Sequence, residues 1–415
     1  MSAQEAQAQS MAQVPEAVRP PPGNPRFPLF DGLRAAAALS IVALHSSGAT
    51  FYSATGLLGP WTNSLDIGVA IFFIISGFLL YRPYVAARLH GARGPRTTTF
   101  YRRRILRIVP AYWFALTVLA VTGISRATPT DTLNDWPKYY FFLQSYSPSA
   151  GGIGVAWSLC IEVSFYLVLP LYAWVMARFL TGRTMRRQLG VEMAVLLMLS
   201  LVSYPFWRGF AHGETVIFLR WLPHYFYWFA LGMGLALVSA WASQTGRLGN
   251  RVFTAIANHP GALWLAALYL FVVLGLLTEP APSIVTDTPT TAIIKWLLQP
   301  IIALLIVIPA VFTKPGYGLA GKLLSWKPVA WLGLISYGIY LWHLSVQYFI
   351  FDHGWVFGPS PAQRTVVSLA MVLGITIPIA AFSYYVIEKP FLRFKDWRPR
   401  REEDSPKTGA TNPRQ

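Results

Sequence analysis

Long apolar runs dominate this chain and decide what it can fold into. A bilayer core about 30 Å thick needs roughly 20 consecutive apolar residues for each crossing helix. Such runs, separated by charged segments or by segments rich in proline and glycine, lie near 32–51, 65–84, 105–124, 155–177, 189–207, 222–241, 260–278, 292–312, 329–350 and 366–387. The chain is therefore predicted to be all-α, a polytopic membrane protein with about ten transmembrane helices and the lipid bilayer around it.

The composition excludes an ordinary soluble enzyme. Hydrophobic residues make up 54% of the chain and charged residues only 12%, whereas about a quarter of the residues of a soluble domain are charged. The single cysteine, Cys160, rules out an intramolecular disulfide, and no Cys/His cluster has the spacing of a zinc site. The sequence therefore predicts neither a metal nor a bound cofactor.

The formal net charge of +17 is explained by membrane topology. Lys and Arg stay preferentially on the cytoplasmic side of a membrane, and most of the 34 basic residues fall there if both termini are cytoplasmic. This distribution favours a multi-pass protein of the cell membrane over a nucleic-acid-binding protein. The predicted organisation is a disordered cytoplasmic arm at 1–29, a transmembrane domain at 30–390 and a basic cytoplasmic tail at 391–415.

Ionisable side chains within the predicted spans are costly in lipid and so mark candidate functional sites. Arg34 and His45 lie eleven residues apart in the first span, which places them on one helical face at depths that differ by about 16 Å. Counting residues from the span ends puts His45, Glu162 and His343 at a similar depth, roughly 10 Å below the outer edge. Purely structural roles stay open, in which Arg34 reaches the lipid headgroups, His45 bonds a neighbouring helix and Glu162 bridges two helices.

A basic cluster marks the cytoplasmic mouth of the third span. It comprises Arg102, Arg103, Arg104 and Arg107, and the last two share a helical face. Guanidinium groups bind phosphate with two parallel hydrogen bonds, so the cluster suits a phosphorylated ligand. The same residues would also anchor the chain to anionic lipid, and both interpretations stay open.

Six motifs in order resemble the acyltransferase-3 family of integral membrane O-acyltransferases, and together they cover about 28–394. They are Phe30-Asp-Gly-Leu-Arg34 with His45 completing an Arg-x10-His pair, Gly68 to Leu79, Arg104-x-x-Arg107 before Pro110, Trp157-Ser158-Leu159-x-x-Glu162, Ser336-Tyr337-Gly338-Ile339-Tyr340-Leu341-x-His343, and Glu388-Lys389-Pro390. Two of them are expected to serve structure. Ser76 and Gly77 predict close helix packing, and Pro390 predicts the end of the last helix.

The resemblance implies transfer of an acyl group, commonly acetyl, from cytoplasmic acyl-CoA to a hydroxyl of a carbohydrate, glycolipid or related acceptor. Acyl-CoA is then a donor substrate rather than a bound cofactor. The resemblance makes His45 the essential residue and Arg34 its partner, and it carries Glu162 over as a second catalytic candidate. The candidates for substrate binding are Arg34, Arg104, Arg107, Arg103, Asp31, Trp157, Ser158, Tyr340 and His343.

These residue types suit thioester chemistry. Acyl transfer needs a base for the acceptor hydroxyl, hydrogen-bond donors for the developing oxyanion and an anion site for the CoA phosphates. His45 is the expected base, oriented by Glu162 or by a hydroxyl group, although a covalent acyl-histidine stays open. The donor is expected at the inner face, with its arm along Arg34, and the acceptor is expected from the outer side near Glu162 and His343.

Two other functions use the same features. A transporter or flippase could employ buried His, Glu and Arg groups as a proton relay. A glycosyltransferase that uses a lipid carrier is the weaker alternative, because the first external loop at 51–64 contains no acid and Asp66 stands alone.

Overall fold

The computed structural model of the protein describes residues 27–124, 134–146, 151–210, 220–246, 251–281, 287–313 and 316–396, with only the backbone described at 204–210 and 396. Most of the predicted arm and tail lies outside these ranges. Within them the regular structure is helical and no strand occurs. The prediction of an all-α polytopic protein is confirmed.

In the first half of the chain, the described residues form eight α-helices. They are α1 (Leu29–Ala49), α2 (Tyr52–Thr55), α3 (Gly59–Asn63), α4 (Ile67–Leu89), α5 (Thr97–Thr122), α6 (Trp136–Tyr140), α7 (Trp157–Leu180) and α8 (Met185–Phe210). The second half forms α9 (Leu222–Gln244), α10 (Arg251–Asn258), α11 (Pro260–Leu277), α12 (Pro289–Phe312), α13 (Gly318–Leu324), α14 (Lys327–Leu334), α15 (Ser336–Asp352), α16 (Pro361–Phe382) and α17 (Lys389–Leu392). A π-helical segment, Ser383–Glu388, joins the last two helices.

Eight helices of the described residues are long and apolar enough to cross a membrane, and α14 with α15 makes a ninth if the bent pair counts as one span. The remaining predicted span, 189–207, corresponds to α8, whose last seven side chains fall outside the description. The total of ten and the cytoplasmic placement of both termini therefore stay predictions.

Two glycines bring α4 and α9 into close contact at the centre of the protein. A β-carbon at Gly77 would collide with the carbonyl oxygen of Phe229, and one at Gly232 would collide with the carbonyl oxygen of Ile74. The absent side chains let the two backbones approach as small residues do in membrane helix pairs. The packing role predicted for Gly77 is confirmed, whereas Ser76 faces a cavity described below.

The predicted ninth span, 329–350, is not one straight helix. It breaks at Ile335, where α14 and α15 meet at an angle of 70°. Just before this break α14 packs across the start of α1, where Gly333 lies directly against the backbone carbonyl of Asp31. The bend then allows α15 to pack along α1.

A buried ionic network joins α12 to the segment before α4. The ammonium of Lys295 lies 2.9 Å from Asp287, 3.7 Å from Asp66 and 2.8 Å from the carbonyl oxygen of Asn63. Gln299 also donates a hydrogen bond to the carboxylate of Asp66. Asp66, expected from the sequence to stand alone, therefore shares a cation with Asp287, because folding brings the start of α12 against the start of α4.

Candidate active site

Five membrane helices enclose a polar cavity of about 120 Å³. These are α1, α4, α5, α7 and α15, and each contributes at least one polar side chain. The polar lining consists of Arg34, Ser76, Arg104, Arg107, Ser158, Glu162, Tyr166, Ser336, Tyr337 and Tyr340. So many polar groups inside a membrane domain mark the cavity as the leading functional site.

One face of α7 supplies a carboxylate to the cavity. Ser158, Glu162 and Tyr166 are four residues apart and so stand above one another on the helix. The hydroxyl of Ser76 on α4 donates a hydrogen bond of 2.5 Å to the carboxylate of Glu162. The hydroxyl of Tyr166 faces both Glu162 and Arg104, so the acid and the guanidinium are coupled through it.

Three guanidinium groups form the opposing wall. Arg34 is paired with Asp31 at 2.9 Å, and Arg104 lies over the ring of Tyr166 at 5.9 Å. Arg34 also feels the charges of Arg104 and Arg107, because all three approach the same space. Concentrated guanidinium groups suit an anion with several oxygens. Among the described residues, no cluster of three or more His, Cys, Asp or Glu side chains could hold a metal ion.

Glu388 stands behind this wall. Its carboxylate lies 3.8 Å from the guanidinium of Arg107, and its side chain is only 1% exposed. The π-helical segment Ser383–Glu388 brings it there, and α17 follows directly. The prediction that Pro390 ends the last helix is wrong, because a proline is tolerated in the first turn of a helix, where its missing N–H has no partner.

His45 and His343 form a second cluster. Their ring centroids are 5.3 Å apart. The side-chain amide of Gln347, one turn beyond His343, donates a hydrogen bond of 2.8 Å to the carbonyl oxygen of His45. Nδ1 of His343 lies 3.1 Å from the carbonyl oxygen of Ile339 and 2.8 Å from that of Tyr340. Helix α15 thus holds His45 by its backbone and faces its ring.

Tyr340 connects the two clusters. Its ring lies 5.9 Å from that of His343, and its side chain also lines the cavity. Its hydroxyl donates to the carbonyl oxygen of Val155 at 2.8 Å, so Ser158, at 2.6 Å, donates to it. The tyrosine therefore forms part of the partition between the arginine wall and the histidine pair.

Most of the candidate site residues predicted from the sequence lie either in the polar cavity or in the histidine cluster. The cavity contains Arg34, Arg104, Arg107, Ser158, Glu162 and Tyr340, and the second cluster contains His45 and His343. Asp31 lies behind Arg34, Arg103 is exposed, and the ring of Trp157 packs 5.4 Å from Tyr225. None of these three lines the cavity.

The expected contact between Glu162 and His45 does not occur in the described structure. Glu162 instead accepts from Ser76 and faces Tyr166, because α7 turns this side chain toward α4 and α5. Sequence reasoning also missed Tyr166, although its four-residue spacing from Glu162 was a usable signal. It missed the ion pair of Glu388 as well. This residue is turned inward by a π-helical segment, and such a segment leaves no recognisable pattern in the sequence.

Comparisons with known proteins identify acyltransferases. The sequence profile of an acyltransferase domain matches residues 28–385. The chain is 27% identical over 392 residues to a putative peptidoglycan O-acetyltransferase, YrhL, of Bacillus subtilis, which covers 88% of this chain and 54% of that protein. It is 25% identical over 343 residues to the peptidoglycan O-acetyltransferase OatA of Listeria monocytogenes, covering 77% of this chain and 49% of that protein.

A third relative matches over nearly its full length. It is the acyltransferase MdmB of Streptomyces mycarofaciens, 28% identical over 402 residues, with 90% of this chain and 93% of that protein covered. By contrast, the chain spans about half the length of the two relatives named as peptidoglycan O-acetyltransferases. No solved structure matches the chain.

Proposed function

The chain belongs to the acyltransferase-3 family, and on that premise we propose that it is a membrane O-acyltransferase that moves an acyl group, commonly acetyl, from acyl-CoA to an acceptor hydroxyl. The proposed acceptor class is a carbohydrate or glycolipid of the cell envelope. Two relatives are named as peptidoglycan O-acetyltransferases, which supports a sugar hydroxyl as the acceptor.

The observation that carries the proposal is the convergence of Arg34, Arg104 and Arg107 on one cavity within the membrane domain. Acyl-CoA brings several phosphate oxygens and a thioester, and guanidinium groups can pair with both phosphate charge and a developing oxyanion. The Ser76, Tyr337 and Tyr340 hydroxyls all donate to acceptors of the protein itself. The arginines are therefore the principal hydrogen-bond donors that the cavity can offer to a donor substrate.

Glu162 is proposed to position the guanidinium of Arg104 rather than to contact His45. Its carboxylate and Arg104 face the same hydroxyl, that of Tyr166, and Ser76 fixes the carboxylate from the other side. The negative charge therefore holds the guanidinium of Arg104 toward the cavity. Charge-assisted contacts of this kind are about twice as strong as neutral ones.

His45 is the proposed general base. The acceptor hydroxyl gives its proton to His45 while its oxygen forms a bond to the acyl carbon, and the bond from that carbon to sulfur breaks. The proton on His45 then passes to the departing thiolate, so that CoA leaves as a thiol and the imidazole is restored. His45 is partly buried, and one of its ring nitrogens is proposed to meet the acceptor hydroxyl.

Transfer of labelled acetyl from acetyl-CoA to an extract of envelope glycolipids tests the proposal. Detergent-purified wild-type protein is expected to label the extract and to release free CoA thiol in equal amounts. His45→Ala should do neither, whereas His353→Ala, which alters an exposed histidine directly after the end of α15, should match the wild type. Uptake of acceptor into proteoliposomes without thiol release would favour the transporter instead.

A further inference from the structure

We propose that His343 is a positioning residue for His45, a role that rests on the proposed function. In this arrangement neutral His343 carries its proton on Nδ1 and accepts a hydrogen bond from a ring N–H of His45 through Nε2. The contact fixes which nitrogen of His45 keeps its lone pair for the acceptor hydroxyl. It replaces the expected contact with Glu162, which the structure places in the other cluster.

The hydrogen bonds of His343 decide its tautomer. Nδ1 faces two backbone carbonyl oxygens, those of Ile339 and Tyr340, at 3.1 and 2.8 Å. Carbonyl oxygens only accept, so Nδ1 must carry a proton and share it between them. The side chain is 0% exposed, and a buried imidazolium without a paired anion is costly. The ring is therefore neutral and its Nε2 is an acceptor.

That acceptor is buried and has no hydrogen-bond partner in the structure. The ring of His45 lies beside that of His343, with 5.3 Å between the centroids. At this separation two ring nitrogens that face each other come within roughly 3 Å, the distance of a hydrogen bond. A rotation of the His45 ring that turns one of its N–H groups toward Nε2 of His343 would satisfy the orphaned nitrogen.

Gln347 makes the arrangement rigid. Its side-chain amide donates a hydrogen bond to the backbone carbonyl oxygen of His45. This second contact between α15 and His45 comes from the helical turn that follows His343. His343 and Gln347 lie four residues apart on α15 and so face α1 together. The position and the orientation of His45 are therefore both set by α15, as a third group orients the base in catalytic triads.

The chemistry assigns His343 no proton transfer of its own. When His45 accepts the proton of the acceptor hydroxyl, its other nitrogen still donates to Nε2 of His343, and the proton that leaves for the thiolate is the one just gained. His343 stays neutral throughout. Its loss should therefore lower the rate of transfer without weakening the binding of the donor.

A matched pair of amides tests this role. His343→Gln places an amide oxygen near the position of Nε2, whereas His343→Asn keeps an N–H near Nδ1 and leaves no acceptor toward His45. In the acetyl-transfer assay we expect His343→Gln to retain kcat within about tenfold and His343→Asn to lose on the order of 100-fold. KM for acetyl-CoA should be unchanged in both. Equal rates for the two variants, or a change confined to KM, would overturn the proposal.

A second measurement does not depend on activity. Nitrogen-15 spectra of histidine-labelled wild-type protein report which nitrogen of each imidazole carries a proton. We expect a protonated Nδ1 and a hydrogen-bonded, unprotonated Nε2 for His343, assigned by its absence from His343→Gln. A protonated Nε2 would refute the proposal. A wild-type protein that shows the expected tautomer but transfers no acetyl group would instead refute the proposed function.

Discussion

The guanidinium of Arg107 lies 3.8 Å from the buried carboxylate of Glu388, which ties the end of the last span to the wall of the polar cavity. The two partners differ in their surroundings, because the Arg107 side chain is 29% exposed and that of Glu388 only 1%. Removing one partner therefore has a different consequence from removing the other.

Arg107→Ala should destabilise the protein far more than Glu388→Gln. The first change leaves a carboxylate buried without a cation, which costs on the order of 3 kcal/mol. The second leaves a guanidinium that water can still reach. Thermal unfolding in detergent measures both, and the double variant should recover most of the loss. Equal destabilisation by the two single changes would show that the ion pair is not what holds Glu388.

Ser76→Ala and Glu162→Gln should both weaken the binding of the acyl-CoA donor. Each removes part of the system that directs Arg104 into the cavity, and a hydrogen bond to a charged group is worth about 1.5–3 kcal/mol. Steady-state kinetics should show a rise of roughly tenfold in KM for acetyl-CoA, with a smaller change in kcat. A loss confined to kcat would instead place Glu162 in the chemical step.

Lys295→Met should destabilise the protein by about 3 kcal/mol, because Asp287 and Asp66 then share a buried site without a cation. Lys138→Met is the matched control, since its ion pair with Asp135 lies on the surface, where such pairs contribute little. Adding Asp287→Asn to Lys295→Met should restore part of the stability. Stability is measured by chemical or thermal unfolding. If Lys295→Met were as stable as Lys138→Met, and Asp287→Asn restored nothing, the network would have no structural role.

Gly77→Ala should lower stability by about 1–3 kcal/mol, because the added methyl group meets the backbone of α9. Gly374→Ala offers the control within α16, where nothing lies within 4 Å of the new methyl group. That change should be neutral or slightly stabilising, since alanine favours a helix more than glycine does. The comparison is made by thermal unfolding of the two purified variants.

Helical periodicity and hydropathy predicted much of the candidate site. The spacing of Arg104 and Arg107 placed them on one face, and the depth count put His45 level with His343, whose rings indeed lie side by side. These arguments give a residue's height in the membrane and its face on a helix. They do not give the rotation of one helix against its neighbours, which is why Glu162, one of the two kinds of group expected to orient His45, lies instead at Ser76.

Other features depend on local backbone geometry. The bend at Ile335 accompanies the contact of Gly333 with the start of α1, a tertiary contact that no local pattern indicates. The inward turn of Glu388 follows from a π-helical segment, which inserts an extra residue per turn. Both lie close to the polar cavity, where tertiary packing overrides the regular period of the sequence.

We propose separate roles for the two clusters, in which Arg34, Arg104 and Arg107 bind the donor and His45 carries out the transfer. Equilibrium binding of acetyl-CoA to wild-type, Arg104→Gln, His45→Ala and Arg178→Gln proteins tests it most directly, with Arg178 as an exposed control outside the cavity. Arg104→Gln should weaken binding by about tenfold or more. His45→Ala should bind as the wild type does yet transfer nothing, and Arg178→Gln should be unchanged in both respects. Wild-type affinity in Arg104→Gln together with lost affinity in His45→Ala would contradict the account.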